Sequence, residues 1–410
     1  MKKIAIIGGG ISGLAVLHYL KRRYKDTVEI TLYERNPYVG GAIASLYAQG
    51  FLFETGPNAF LTNQPNTLVF IEELGFTDQV IEANHDSKRR YIQLGGKLHL
   101  LPMDPINFIK SPLLSTDEKF RLIQGLFIKN LPKDQSVYDY TSKRFGVAVS
   151  ERLVDPFLTG IYAGNIKRLN MSCIFPKKST SKGQKKVKTQ LCSFKDGMGS
   201  FIKHISKQYK PFIKTGVEVK SLDQLKVDQI ICSTPAHVAS SLLGMDILKN
   251  ILYSPIAVVG LVINNDTFNS IPDGFGYLIP SSEGKEVLGA LIENNTFKRQ
   301  SPEGKMFIRV MLGGAHHPEI INNKADEIVV KAIKEIDSIY GLKEKPQSAS
   351  VKLWAKGIPQ YELGYPAIRQ TIKDELQKRP NLHLCANYLD GISFNDCIKN
   401  ARELVEAINI

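Results

Sequence analysis

The first thirty-four residues constrain the fold more than any other part of the chain. Residues 4–7 are a short unbroken apolar run, the mark of a parallel strand buried on both faces. The run feeds Gly8-Gly9-Gly10-Ile11-Ser12-Gly13, a GxGxxG on Gly8, Gly10 and Gly13. A helical pattern follows, with Leu14, Leu17 and Leu20 apolar and Lys21, Arg22 and Arg23 closing it, then a second strand over 28–33. Glu34 ends that strand about 20 residues past the glycines, where a carboxylate accepts a hydrogen bond from a ribose hydroxyl. The glycines serve a tight turn, backbone approach to a pyrophosphate and close helix packing. The N–H groups at Ile11 and Ser12 then face the phosphates from the positive end of the helix. Strand, glycines, helix, strand and acid fall in register, which a mere glycine turn would not require. A carboxylate at Glu34 disfavours a ribose bearing a 2′-phosphate.

This unit fills a fraction of the 410 residues, and roughly 150 residues per domain leaves room for one or two more. Apolar content of 43% and charged content of 23% exclude wholesale disorder. Lysine plus arginine (53) exceeds aspartate plus glutamate (40) by 13, which points to an anionic partner: nucleic acid, a lipid surface or an acidic substrate. Five scattered cysteines without a CxxC pair argue against a disulfide framework and a zinc ribbon, and for a reducing compartment. The N-terminal MKKIAII mimics a secretory leader, but three glycines interrupt it, and that reading is rejected. No apolar run reaches the ~18 residues of a membrane span, and no internal repeat is present. No metal-ligand cluster stands out; His316-His317 project apart in any regular element and read as loop residues.

After Glu34 comes Arg35-Asn36-Pro37-Tyr38-Val39-Gly40-Gly41, a glycine pair that lets the chain pass close to a ligand. This spacing resembles the flavoprotein superfamily of amine oxidases, phytoene desaturases and protoporphyrinogen oxidases, and so does Phe53-Glu54-Thr55-Gly56-Pro57-Asn58. The resemblance implies one FAD per chain, held non-covalently, with Arg35, Gly41, Ala42, Gly56, Pro57, Asn58 and Ala59 beside it. A single GxGxxG disfavours a second nucleotide domain.

Distant pieces are expected to complete this domain. A strand over 216–219 carries Val219 to the nucleotide, and a buried strand over 229–233 follows. Residues 382–385 read as another strand, leading through Gly391-Ile392-Ser393 into a helix over 394–408. A loop feeding a helix N-terminus suits the pyrimidine end of a flavin. The cofactor domain is therefore expected from 1–84, 189–245 and 376–410. A helical domain is expected over 85–188 and a mixed-sheet substrate domain over 246–375. The fold class is α/β with α+β, a Rossmann-like FAD domain joined to these two. Ser115-Thr116-Asp117-Glu118 is a capping-box pattern opening a helix with Phe120, Ile123 and Phe127 apolar among basic residues. The plain reading packs this helix on its own domain; the alternative rests it in an anionic headgroup layer. The lysine-rich run over 177–188 reads as a solvated loop that would strengthen such attraction.

Several stretches resemble one family, the protoporphyrinogen oxidases with their coproporphyrinogen-oxidising relatives. They are Arg90-Tyr91-Ile92 with Gly95-Gly96-Lys97-Leu98, then 156–165 (PFLTGIYAGN), 193–198 (SFKDGM), 274–281 (GFGYLIPS), 287–290, 310–314 (VMLGG), 358–364 (IPQYELG) and 391–397. The chain looks trimmed near 177–188 and 219–229, and Ala42 stands where the family often has a large or basic residue. The resemblance implies six-electron oxidation of protoporphyrinogen IX to protoporphyrin IX in haem biosynthesis. O₂ would be the acceptor, giving H₂O₂ over three two-electron steps. It further implies Arg90 as a propionate anchor and Gly160 and Ala163 as small residues passing close to the ring system. Phe275, Gly276, Leu278, Leu291 and Met311 would form the apolar wall, with Asn58 beside the reacting ring. Trp354 is read as packing on the FAD side or as plain core. Implied partners are the porphyrinogen, O₂, an anionic membrane surface, the next haem-pathway enzyme and a second copy of the chain. The implied location is the cytoplasm, peripheral on the inner membrane. Nucleic acid has no supporting motif. Coproporphyrinogen III is the alternative substrate; an amine oxidase or desaturase, or a flavin-binding surface protein without turnover, are more distant readings.

Overall fold

Five parallel strands form the sheet that the N-terminal pattern begins. Lys2–Ile7 is central, Val28–Glu34 and Ile213–Thr215 lie to one side, and Gln229–Cys232 and Leu382–Leu384 to the other. The computed structural model describes residues 1–48, 50–102, 104–128, 131–132, 134–176, 189–297 and 302–409; the lysine-rich run 177–188 lies outside them. Helix Ile11–Tyr24 is buried over its first ten residues between this sheet and the C-terminal helix Phe394–Ala407. Ile398, Ala401, Val405 and Ile408 pack there with Leu14, Leu17 and Leu20, as their spacing required. The strand expected over 216–219 lies earlier, at Ile213–Thr215. Beyond it Gly216 and Val217 still donate to the carbonyls of Asn36 and Glu34, so the chain follows the sheet edge without a strand there.

A second, mixed sheet of seven strands runs in the order Ser348–Pro359, Tyr253–Asn264, Lys305–Gly313, Val287–Ile292, Gly276–Leu278, Arg90–Leu94, Lys97–Leu100. Every pairing is antiparallel except Gly276–Leu278 with Arg90–Leu94. Alternation along Tyr253–Asn264 assigns its two faces. Ala257, Val259, Leu261 and Ile263 pack with helix Ala325–Tyr340 through Ile328, Ala332 and Ile336. Val258 and Val262 meet Phe51 and Phe53 of the cofactor domain, with Phe307 and Trp354.

The segment 85–188 is not helical throughout. Its first part is the hairpin Arg90–Leu94/Lys97–Leu100, which completes the seven-stranded sheet. Helices follow from Pro105 onward. Thr116–Phe127 opens with the expected capping box, Ser115 Oγ accepting from the Glu118 N–H and Glu118 from the Ser115 N–H. It packs on its own domain, as the plain reading has it, but the apolar stripe is not the side that faces inward. Gly125 is buried against the Arg144 carbonyl and Arg121 donates to the carbonyls of Lys143 and Arg144, while Phe120 and Phe127 are 61% and 77% exposed. Ile123 and Leu126 are also exposed, as are Ile106 and Ile109 on the preceding helix Pro105–Lys110. Among the described residues no helix is long and apolar enough to cross a membrane. All five cysteines are unpaired thiols.

Candidate active site

The GxGxxG turn forms a cradle open on one side. Gly8 has φ of +106°, which favours glycine, and a Cβ on Gly13 would fall on the Gly8 carbonyl oxygen. A Cβ on Gly10 would meet nothing within 4 Å, so the free space lies over Gly10, at the helix start. Helix Ile11–Tyr24 has no side-chain cap and no acidic residue in its first turn, leaving the N–H groups near Ile11, Ser12 and Gly13 for an anion. Gly40 bridges Gly10 through the Gly40 N–H to Gly9 carbonyl bond (2.8 Å), which brings Gly41 and Ala42 beside the cradle. Glu34 is buried. One oxygen accepts from the Gly9 N–H (2.8 Å) and the other from the backbone and side chain of Asn36, which fixes the carboxylate at the strand end. Arg35 next to it is exposed, and Val219 is half-buried on the neighbouring edge. These are the features a dinucleotide requires, and residues 8–13, 34–35 and 41–42 would hold it.

Of three further pieces expected beside the cofactor, the first reaches the 40–42 loop directly. Gly56 lies against the Ala42 carbonyl, which brings Pro57, Asn58 and Ala59 next to the 40–42 loop. Asn58 donates to Glu293 Oε1 (3.2 Å), and its carbonyl accepts from Ser193 Oγ (2.7 Å). Trp354 packs with Phe51, Phe53 and Phe307, as the core reading has it, and donates its indole N–H to the Thr55 carbonyl (2.7 Å), next to Gly56. The Gly391 N–H is held by Tyr361 Oη (2.9 Å), and Tyr361 Oη donates in turn to the Asn387 carbonyl. Ser393 spends its hydroxyl on a capping box with Asp396, so the first turn of Phe394–Ala407 is partly satisfied by the protein itself. The backbone at Gly391 and Ile392 is what this loop offers a ligand.

The five residues expected to form the apolar wall lie near one another, with Arg90, Gly160 and Ala163 beside them. Ala163, Leu291 and Met311 form one buried cluster with Leu288, and Phe275 packs against it. Gly276 pairs with Leu291 on one side and Arg90 on the other. Leu278 faces Gly160, where an added Cβ would stand 2.9 Å from Leu278 Cδ2, so helix Asp155–Tyr162 approaches the sheet only through glycine. Ala163 ends that helix at φ of +46°, a left-handed conformation costing about 1–2 kcal/mol without glycine. The Ala315 N–H to Ala163 carbonyl bond (2.7 Å) holds it there. The guanidinium of Arg90 stands over the Phe275 ring, 4.9 Å from its centroid. Burial lowers its pKa, and among the described residues no carboxylate pairs with it. Its neighbour Arg89 is already paired with Asp273 (2.7 Å). Gln360 donates to the Tyr162 carbonyl (2.8 Å), so the 358–364 stretch ties the substrate helix to the Gly391 loop.

Sequence reasoning singled out neither Glu293 nor Arg309, and Tyr361 only as part of the 358–364 stretch. Arg309 carries a readable signal, a charge inside the apolar strand Lys305–Gly313. A groove of about 840 Å³ between helix Tyr365–Gln377 and the strand Leu382–Leu384 contains none of the site residues. Among the described residues no His/Cys/Asp/Glu group is arranged to hold a metal.

The profile of the flavin-containing amine oxidoreductases matches residues 11–409. The coproporphyrinogen III oxidase of Bacillus subtilis is 24% identical over 98% of this chain and 97% of its own length. The protoporphyrinogen oxidase of Dictyostelium discoideum is 25% identical over 100% and 99%. A solved structure from Exiguobacterium sp. 255-15, provisionally assigned as a protoporphyrinogen oxidase, superposes with a TM-score of 0.85 at 21% identity, covering 99% and 98%.

Proposed function

The chain belongs to the flavin-containing amine oxidoreductase family, and on that premise we propose that it oxidises protoporphyrinogen IX to protoporphyrin IX with non-covalently bound FAD. The observation that carries this reading is Arg90. An unpaired guanidinium over an aromatic ring, at the rim of an apolar wall made by Ala163, Leu291 and Met311, suits a flat macrocycle with carboxylates on one edge. When bound, FAD supplies the two-electron acceptor that O₂ re-oxidises, and three such cycles turn one porphyrinogen and three O₂ into porphyrin and three H₂O₂. The protein's part is geometric. Arg90 sets the edge of the macrocycle by a bidentate contact, which lysine would not reproduce. Gly160 lets helix Asp155–Tyr162 close on Leu278, so its space is taken by the wall itself and not by the ring system, and the apolar wall excludes water. No nucleophile or metal is needed.

Coproporphyrinogen III is the second reading, favoured by the full-length match to the Bacillus subtilis enzyme. Its four carboxylates would need further cations, and Arg89 is already spent on Asp273. Incubating the purified flavoprotein with each porphyrinogen and following porphyrin fluorescence separates them. Fluorescence above autoxidation only with coproporphyrinogen reverses the order of the two; none with either rejects both. The exposed apolar face of Thr116–Phe127 and the net charge of +13 support seating on an anionic membrane surface.

A further inference from the structure

Arg309 sits mid-strand between Ile308 and Val310 and is only 6% exposed. A guanidinium there carries a desolvation cost of several kcal/mol unless the fold uses its charge. Strand register places Arg90, Gly276, Leu291, Arg309 and Gly260 in one row across the substrate sheet. Residues in one such row share a face. Arg90 stands at the open end of the row; Arg309 lies three strands inward, where the cofactor domain crosses. Its Nη2 donates to the Gly56 carbonyl (2.5 Å), two residues before Asn58. Asn58 in turn donates to Glu293, itself buried. The Nε of Arg309 is buried and has no hydrogen-bond partner among the described residues. Burial pulls the guanidinium pKa down, while Glu293 and Glu54 push it up.

We propose that Arg309 positions the Gly56–Asn58 turn and sets the reduction potential of the bound flavin, with Glu293 as its opposing charge. This rests on the reading that the turn faces the flavin ring system. Reduction adds negative charge to that ring system. A fixed cation in a low-dielectric interior favours the more negative form, and a carboxylate disfavours it. Arg309 acts through the Gly56 carbonyl and its field, so it is a positioning residue.

Two conservative variants separate charge from packing. Arg309→Met removes the cation at similar length, and the preference for reduced over oxidised flavin should fall at least tenfold. That corresponds to a drop of about 30 mV for a two-electron couple. Glu293→Gln removes the opposing carboxylate and should raise the potential. A loosened turn would shift both variants the same way. Dye equilibration of the flavin-loaded chain reads both. Shifts of the same sign, or no shift in either, overturn the proposal. If Arg309→Met does not fold, Glu293→Gln carries the test, and an unchanged or lower potential overturns it. No porphyrinogen enters the measurement, so a different substrate leaves the result standing. A chain that purifies without flavin overturns both this proposal and the reading beneath it.

Discussion

Trp354 donates its indole N–H to the carbonyl oxygen of Thr55 at 2.7 Å, and the next carbonyl, that of Gly56, accepts from Arg309. Two successive carbonyls of one cofactor-domain segment are thus held by donors from two strands of the substrate sheet. The spacing between the two halves of the site is set by these bonds and the aromatic cluster of Phe51, Phe53 and Phe307.

Replacing Trp354 by Phe keeps an aromatic ring in that cluster and removes the donor. Leaving the Thr55 carbonyl unpaired should cost about 1–3 kcal/mol. Denaturant unfolding of the flavin-loaded protein measures it; an unchanged midpoint would show that the bond is dispensable.

Arg90→Ala should raise KM at least tenfold with flavin content and absorbance unchanged, because the guanidinium stands over Phe275 at the apolar wall and not at the cradle. Arg90→Lys should recover part of the loss, keeping the charge without the fork. Steady-state kinetics with protoporphyrinogen decides, and an unaltered KM removes Arg90 from the site.

Gly10→Ala and Gly13→Ala should fail differently. The first adds a methyl to open space at the helix start, so the chain folds but binds flavin at least tenfold more weakly. The second drives a methyl into the Gly8 carbonyl oxygen and should reduce soluble yield outright. Flavin titration and circular dichroism of both variants test the contrast.

The outward stripe of Thr116–Phe127 predicts a separable surface function. Phe120→Ser with Phe127→Ser should weaken binding to phosphatidylserine-containing vesicles by tenfold or more, since each buried phenylalanine is worth roughly 1.5–3 kcal/mol. Oxidase activity in detergent should be retained. Vesicle sedimentation with equal pelleting of variant and wild type would refute membrane seating.

His18 links Tyr209 Oη and Glu73 within the cofactor-domain core, each at 2.8 Å. Burial lowers its pKa below 6.5, against the opposing pull of Glu73. The unfolded chain therefore binds the proton more readily, and this contribution to stability is present above pH 6.5 and lost as pH falls. Between pH 7 and 5 the wild-type urea midpoint should decline more steeply than that of His18→Asn. Parallel declines would exclude His18 as the cause.

The nucleotide cradle was legible because its physics is local. Turn, helix N-terminus and carboxylate all lie within residues 2–34, and each needs a residue type that spacing alone reveals. The family stretches likewise marked Arg90, Ala163 and Met311, and the resemblance added Leu291; the structure brings them together around one wall. Nothing local said that the hairpin 90–100 would pair with Gly276–Leu278, because strand partners are chosen by distant hydrogen bonding and shared burial. Periodicity in Thr116–Phe127 defined an apolar stripe but not its direction. Gly125, small enough to meet the Arg144 carbonyl, turned the opposite side inward. The charge in the strand Lys305–Gly313 was visible as an anomaly. Only the crossing of two domains gave Arg309 its acceptor at Gly56, because a buried cation takes its meaning from the groups that surround it in space.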